Sequence, residues 1–330
     1  MKNFARAAGA AAIVLLASCG SQEAEVAQTA PAAQTGNPGG AINDNLGEMD
    51  YGVCRGVDPA CYHDWPRPEG WDSEWRVLLF TKTGGPRHGH LGTPLGEGLN
   101  PELNEDNVAQ RGVIEMLEAE GIHVDYSEDS SVLGRLTSYH AVIFYSTTRD
   151  NLDDGAQTAL RQYMRRGGGF IGVHNAFGTE YNWPYYEGLI GGANFFDHGP
   201  NRPGEVVLQS TTDASTRDLP ARFAFTDEWY NLVPFPTHVR FLATGIPSEP
   251  EPREGGGRGG LSTVVGSHPG HGDFHPVTWC QYYDGGKSWV TTLGHGSGVW
   301  NDPEFVGGEE FKTMLLGGIK SVMGMEPFCQ

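Results

Sequence analysis

The chain has 330 residues, 48 Gly and 21 Pro among them, and 41 acidic against 22 basic side chains give a formal charge of −19. This length suits one large or two ordinary domains, and the 38% hydrophobic and 11% aromatic contents support a packed core and exclude a fibre or a wholly disordered chain. The acidic balance excludes nucleic acid, whose backbone needs a Lys/Arg stripe that is missing here, and speaks against a polybasic membrane-surface mode.

The amino terminus reads as a leader. Lys2 and Arg6 form a basic n-region, and Ala10 to Ala17 is an apolar stretch of signal-peptide length. No run of 18 apolar residues exists for a spanning helix. Leu16-Ala17-Ser18-Cys19-Gly20 is similar to a bacterial lipobox, so residues 1–19 are expected to be a lipoprotein signal peptide ending at a lipidated Cys19. Loss of Lys2 and Arg6 leaves 20 basic residues against 41 acidic ones, a mature charge of −21. By resemblance to envelope lipoproteins, Gly20 after the cysteine points to the outer membrane, facing the periplasm, with the lipid as the only membrane attachment. Residues 20–50 carry few large apolar side chains and read as a tether, with a reach of about 30 Å for a flexible coil.

Residues 51–75 bring Cys54, Cys61, Trp65, Trp71 and Trp75 among Pro59, Pro66 and Pro68, an irregular strap and not a domain. Without Cys19 four cysteines remain, and they allow three pairings. A Cys54–Cys61 disulfide is the simplest expectation in an oxidising envelope. Cys280 and Cys329 are left open, each readable as an inert buried thiol. No CxxC pair supports a zinc ribbon or a thioredoxin-type site.

From residue 76 the pattern alternates. Arg76 to Thr81 is a short apolar strand, and Asn107 to Glu120 places Val108, Val113, Ile114 and Leu117 on one helical face before Gly121. Ile122 to Tyr126 and Ala141 to Tyr145 read as strands, Asp153 to Arg166 as a helix closed by Gly167, and Phe170 to Val173 as a buried strand. Such an alternation predicts an α/β layer around a parallel sheet. The second half is β-rich, with strands expected at Glu205 to Gln209, Val239 to Thr244, Val277 to Tyr283 and Ser288 to Leu293, and a closing helix near Glu309 to Met323. Glu249 to Gly260 reads as a solvated polar loop.

Two motifs fail on context. Gly167, Gly169 and Gly172 fit G-x-G-x-x-G but pass from helix to strand, the reverse of a dinucleotide fingerprint. His271 and His275 are four apart, yet Gly270, Gly272 and Pro276 forbid the helix of a zincin motif. A convergence survives. Arg87, His88 and His90 follow the first strand, Thr147, Thr148 and Arg149 the third, and His174, Asn175 and Phe177 the fourth. Open α/β sheets bind ligands at that carboxyl edge.

Arg87-His88, GGGFIGVHNAF (167–177), Trp183 with Tyr186, GGANFFDH (191–198), DEWYN (227–231), HPVTWC (275–280) and LGH (293–295) with Trp300 together resemble the ThuA-like family. The likeness runs in order over most of the mature chain and implies one domain over residues 76–326. The family resembles class I glutamine amidotransferases in fold, so the resemblance implies a flavodoxin-like sheet with helices on both faces and a β-rich second half. Where amidotransferases place a nucleophilic Cys, this chain has His174, which removes the thiolate and that reaction.

The family is named for trehalose utilisation and is associated with sugars oxidised at C3, so a small-molecule carbohydrate is the implied partner. His174 and His88 are the expected acid–base groups, with Arg87 orienting a substrate oxygen and Asp227 as a second choice. Trp183, Tyr185, Tyr186, Trp229, Tyr230, Trp279 and Trp300 are candidate sugar platforms, joined by Asp197, His198, Glu228, Asn231 and His295 as binding residues. His88, His174, His198 and His295 are also candidate ligands of a divalent metal such as zinc, with Asp227 or Glu228 completing the set. His63, His123, His140 and His238 are read as structural, and His268 and His271 as part of a mobile loop. Two classes stay open: an enzyme on an oxidised sugar or keto-glycoside, isomerase-like or cleaving, and a non-catalytic carbohydrate-binding lipoprotein. A homo-oligomer is neither required nor excluded.

Overall fold

Strands that are apolar at every position need a cover on both faces, and a parallel layer between helices provides it. The computed structural model of the chain builds that layer and describes residues 51–67, 69–248, 268 and 270–330. The leader with Cys19, the tether and the polar loop 249–260 lie outside the described residues. In chain order come β1 (Arg55–Gly56), β2 (Arg76–Phe80), α1 (Val108–Glu118), β3 (His123–Ser127), β4 (Ala141–Tyr145), α2 (Asp154–Arg165), β5 (Gly169–Val173) and α3 (Pro184–Leu189). The chain continues through β6 (Phe195–His198), β7 (Arg202–Leu208), β8 (Arg222–Asp227), β9 (Tyr230–Leu232), β10 (Arg240–Pro247), β11 (His275–Tyr283), β12 (Gly286–Thr291), α4 (Gly298–Asn301) and α5 (Gly308–Met323).

The strands β3, β2, β4, β5 and β12 are parallel neighbours in that spatial order. Numbered along the chain they run 2-1-3-4-5, the flavodoxin-like doubly wound order. The β-rich second half is no separate layer: β11, β10, β7 and β8 extend the same sheet antiparallel from β12. A separate ribbon pairs β6 with β9. Alternate residues of one strand serve opposite cores. Val77 and Leu79 pack on the face that carries Val113, Leu117, Phe311 and Leu315, whereas Leu78 and Phe80 face Leu160, Met164 and Tyr186.

Local chemistry sets the helix ends. The Asp153 side chain accepts the Ala156 N–H at 2.8 Å and starts α2, and Gly167 at φ 80° follows its end. Asn107 does not cap α1 with its side chain, because its Oδ1 accepts the Asn104 N–H at 2.8 Å, while its Nδ2 donates to the Leu91 and Thr93 carbonyls at 2.7 and 2.8 Å.

The strap is tied to the body at several points. β1 pairs with β11, the Tyr51 hydroxyl donates to Glu187 at 2.7 Å, and Arg67 donates to the Gly167 carbonyl at 3.0 Å. Cys54 is bonded to Cys61, and Cys280, left open from sequence, is bonded to Cys329. The second bridge spans 49 residues and fastens the carboxyl terminus to β11. Restricting so long a loop in the unfolded chain is worth about 2–4 kcal/mol. The Cys280→Ala/Cys329→Ala protein is therefore expected to lose that much in urea unfolding. An unchanged unfolding midpoint would contradict it.

Candidate active site

In a 2-1-3-4-5 sheet the order reverses between strands 1 and 3, here β2 and β4, and the loops at their carboxyl ends open into a crevice. His88 arrives after β2, Ser146 to Arg149 after β4, His174 after β5 and His295 after β12. β5 is buried throughout and ends at His174, whose φ of 53° lies in the left-handed region that side chains rarely enter. The tight turn aims the imidazole across the sheet edge instead of along the strand.

His174 is fully buried. Its Nδ1 lies 2.9 Å from the Thr292 carbonyl and must carry the proton that this oxygen accepts, which leaves Nε2 as the basic nitrogen. That Nε2 is 3.2 Å from His88 Nε2, 3.3 Å from His295 Nδ1 and 2.8 Å from the Tyr230 hydroxyl, which donates to it. The Glu228 carboxylate stands 3.1 Å from His295 Nδ1, 3.5 Å from His198 Nε2 and 3.9 Å from His174 Nε2. Beneath them, His90 bridges the His295 carbonyl at 2.5 Å and the Ser146 hydroxyl at 2.9 Å.

The electrostatics favour neutral His88 and His174 beside a Glu228 carboxylate paired with His295. Burial, reinforced by the His295 charge, pushes His88 down to about 4. Burial likewise holds His174 well below the usual imidazole range, with His88 and His295 adding to it. For Glu228 burial acts upward but is outweighed by the His295 hydrogen bond and the neighbouring imidazolium charges, so its carboxyl sits low. His295 moves up, because its bond to Glu228 outweighs burial.

One nitrogen of each of His88, His174 and His295 and one Glu228 oxygen lie within 4.8 Å of one another. A tetrahedral zinc with bonds of about 2.0–2.2 Å has ligand–ligand edges of roughly 3.3–3.6 Å. The separations of 3.1, 3.2 and 3.3 Å within the set are close to that, and the His174–Glu228 edge is wider at 3.9 Å. Imidazole with one carboxylate also suits a first-row divalent ion, and the Thr292 carbonyl fixes the His174 ring as the second layer of a metal site does. The donor set fits.

Above this cluster is a cavity of about 270 Å³ lined by residues that include His88, Thr148, Arg149, Asn175, Tyr181, Phe195, His198, Glu228 and Tyr230. The ribbon β6–β9 supplies its aromatic wall. Several expected residues lie elsewhere. The Arg87 guanidinium holds the Leu91 and Gly92 carbonyls at 2.9 and 2.6 Å and Glu128 at 2.8 Å, so it clamps the His88 loop and lies outside the cavity lining. Asp227 is buried beneath the site, where its carboxylate accepts the Glu228, Gly294 and His295 amides at 2.7, 2.7 and 3.3 Å. Burial pushes it up to about 7 against those donors. His198 meets the cluster through Glu228, which takes its place among the candidate ligands.

Of the expected platforms Tyr230 lines the cavity, and the others are packing residues. Trp229 is buried against Gly204 and Gly245, where a Cβ would stand 2.4 Å from its ring. Tyr186 is buried and donates to the Ala176 carbonyl at 2.9 Å, Trp183 stacks on Tyr185, and Trp300 bonds the Tyr145 hydroxyl at 3.0 Å. His268 and His271, expected on a mobile loop, are buried, and His271 accepts the Leu232 amide at 3.0 Å. Tyr181 and Phe195 carried no sequence signal that set them apart from core aromatics, since a ribbon folded over the edge is invisible to strand periodicity. Phe195 does fall within GGANFFDH, beside His198.

The model of the ThuA family, described as trehalose utilisation, matches residues 76–320. The chain belongs to the ThuA family. Two solved ThuA-like proteins share its fold. That of Bacteroides uniformis ATCC 8492 is 20% identical, with a TM-score of 0.53, covering 75% of this chain and 91% of its own. That of Parabacteroides merdae ATCC 43184 is 16% identical, with a TM-score of 0.55, covering 77% of this chain and 91% of its own. No curated relative matches the chain.

Proposed function

We propose that this ThuA-family protein is a carbohydrate-active enzyme acting on a sugar or glycoside oxidised at C3, by proton transfer next to the carbonyl. The observation that carries this reading is the convergence of three imidazoles and Glu228 within 4.8 Å at the base of a sugar-sized cavity. At about 270 Å³ the cavity lies just below the ~300–1,000 Å³ of drug-sized sites, which suits one sugar ring. The family's trehalose context supports the substrate class.

His198 is the proton acceptor in this reading. Its Nδ1 lies 2.5 Å from the Gly199 carbonyl and donates to it, which leaves Nε2 basic, and Glu228 at 3.5 Å would stabilise the imidazolium that forms. His88, His174, His295 and Glu228 would hold a divalent ion such as zinc, which supplies a Lewis acid for a carbonyl oxygen. The Tyr230 hydroxyl and Asn175 face the same space and orient the sugar. Purified protein is expected to carry close to one divalent ion per chain and to consume a 3-keto-glucoside. Protein that binds the keto-sugar without consuming it would instead be the carbohydrate-binding lipoprotein.

The same proposal places the enzyme on the envelope through Cys19. Cys19→Ala is expected to move the protein from the membrane to the soluble envelope fraction. Unchanged fractionation of a correctly cleaved variant would contradict the anchor.

A further inference from the structure

Arg149 follows β4 and lines the cavity beside Thr148, Asn175 and Tyr181, and the proton-transfer reading leaves it without a task. It is the one Arg or Lys among the described residues lining the cavity. Its backbone is left-handed, at φ 59°, a conformation held by its N–H donating to the Gly178 carbonyl at 2.7 Å and its own carbonyl accepting from Glu180 at 3.2 Å. The side chain lies against Gly85, where a Cβ would stand 2.4 Å from Arg149 Cγ, so the loop after β2 is bare where the side chain runs. The guanidinium carbon is 5.7 Å from the centre of the Tyr181 ring.

What this guanidinium does not touch is informative. Arg87, Arg165, Arg217 and Arg222 each meet a carboxylate within 3.2 Å, and Arg135, Arg161, Arg166 and Arg240, which meet none among the described residues, are exposed to solvent, whereas Arg149 is half-buried and lines the cavity. Arg149 makes no side-chain hydrogen bond or ion pair among the described residues, in a chain with 41 acidic side chains. A cation kept clear of carboxylates, fixed by backbone and glycine and turned to a cavity, is prepared for an anion from outside. Its planar fork of donors suits the two oxygens of a carboxylate or phosphate, and the Tyr181 face helps hold the guanidinium in place.

We propose that Arg149 receives an anionic group of the ligand, so that the cavity prefers an acidic sugar, a uronate or a sugar phosphate, to a neutral one. The proposal rests on reading the cavity as a sugar site. Glu228 lines the same cavity and repels an anion, so the charged end of the ring is directed to Arg149 and the opposite end to the His88–His174 side. Arg149 thereby sets which way round the sugar enters.

The test is binding, measured by titration calorimetry on the whole protein with D-glucuronate, glucose 6-phosphate, D-glucose and malonate. Glucuronate or glucose 6-phosphate is expected to bind roughly ten- to hundredfold more tightly than glucose, the worth of a charge-assisted hydrogen-bond pair. The tighter of the two acidic sugars names the source of the anion. Arg149→Gln is expected to remove that preference, Arg149→Lys to retain part of it, and Gly85→Ala to weaken it by displacing the side chain. Equal affinity for acidic and neutral sugars in the native protein, or a preference that survives Arg149→Gln, overturns the proposal. Should no sugar bind while malonate does, and only with Arg149 intact, the sugar reading fails and the anion site stands. Should malonate fail as well, both fall.

Discussion

Turnover of a 3-keto-glucoside is expected to fall at least about a hundredfold in His174→Asn, the scale of the roughly 3 kcal/mol or more that a Lewis acid contributes to a transition state. On the proposed site, divalent ion retained through purification is expected to drop with it from near one per chain to a trace. The reason is geometric. His174 Nε2 is the atom to which His88, His295 and Tyr230 all point, at 3.2, 3.3 and 2.8 Å, and an Asn side chain is too short to reach that place. Stability, compared between the metal-free forms of both proteins, should change little. Asn tolerates the left-handed φ of 53° better than most residues, so the turn survives. The lost bonds to Thr292 and Tyr230 cost roughly 1–2 kcal/mol, a melting shift of a few degrees. Metal analysis, kinetics and thermal unfolding of one preparation check all three. His123→Asn is the control: His123 is half-exposed at the start of β3, 3.4 Å from Asp125, and its loss should leave turnover intact. A His174→Asn protein with native turnover would sink the proposed site.

Asp227→Ala is expected to cost about 3–5 kcal/mol and to lower the melting temperature by roughly 6–15 °C. Asp227 is wholly buried, and its carboxylate alone joins the amides of Glu228, Gly294 and His295. Removing it leaves three buried N–H groups to find water or nothing. Because those amides belong to the two loops that carry Glu228 and His295, the variant should also lose most of its activity. Asp227→Asn preserves the shape but turns an N–H₂ toward an amide, and should fall between. Urea unfolding measured beside kinetics separates the outcomes. An Asp227→Ala protein as stable as the native one would show that water replaces the carboxylate without loss.

Local pattern was enough to read the parallel layer. Runs such as Ala141 to Tyr145 are apolar at every position, which only a sheet covered on both faces tolerates, and helix signals stand between them at the right spacing. Those signals are local, written in periodicity, caps and glycines, so they survive without tertiary contacts. His88 and His174 could be named together for the same reason, since each closes a recognisable strand and the carboxyl ends of a parallel sheet share an edge. Asp227, Arg87 and Trp229 show the limit. A carboxylate beneath a loop and one beside a substrate are the same letter, and only the fold decides whether amides or solvent face it. Arg87 turned inward to its own loop, and Trp229 found two glycines on β7 and β10 that lie 41 residues apart in sequence. Tyr230 and Phe195 reach the cavity on the two-stranded ribbon β6–β9, Glu228 on the turn that leads into it, and Tyr181 from the segment before α3, its hydroxyl donating to the Phe195 carbonyl at 3.1 Å. Pairings of that kind join segments far apart in the chain. Their energy comes from shape fit and burial between partners that no local pattern records, and so the tertiary structure alone decided which polar residues became a site and which became scaffold.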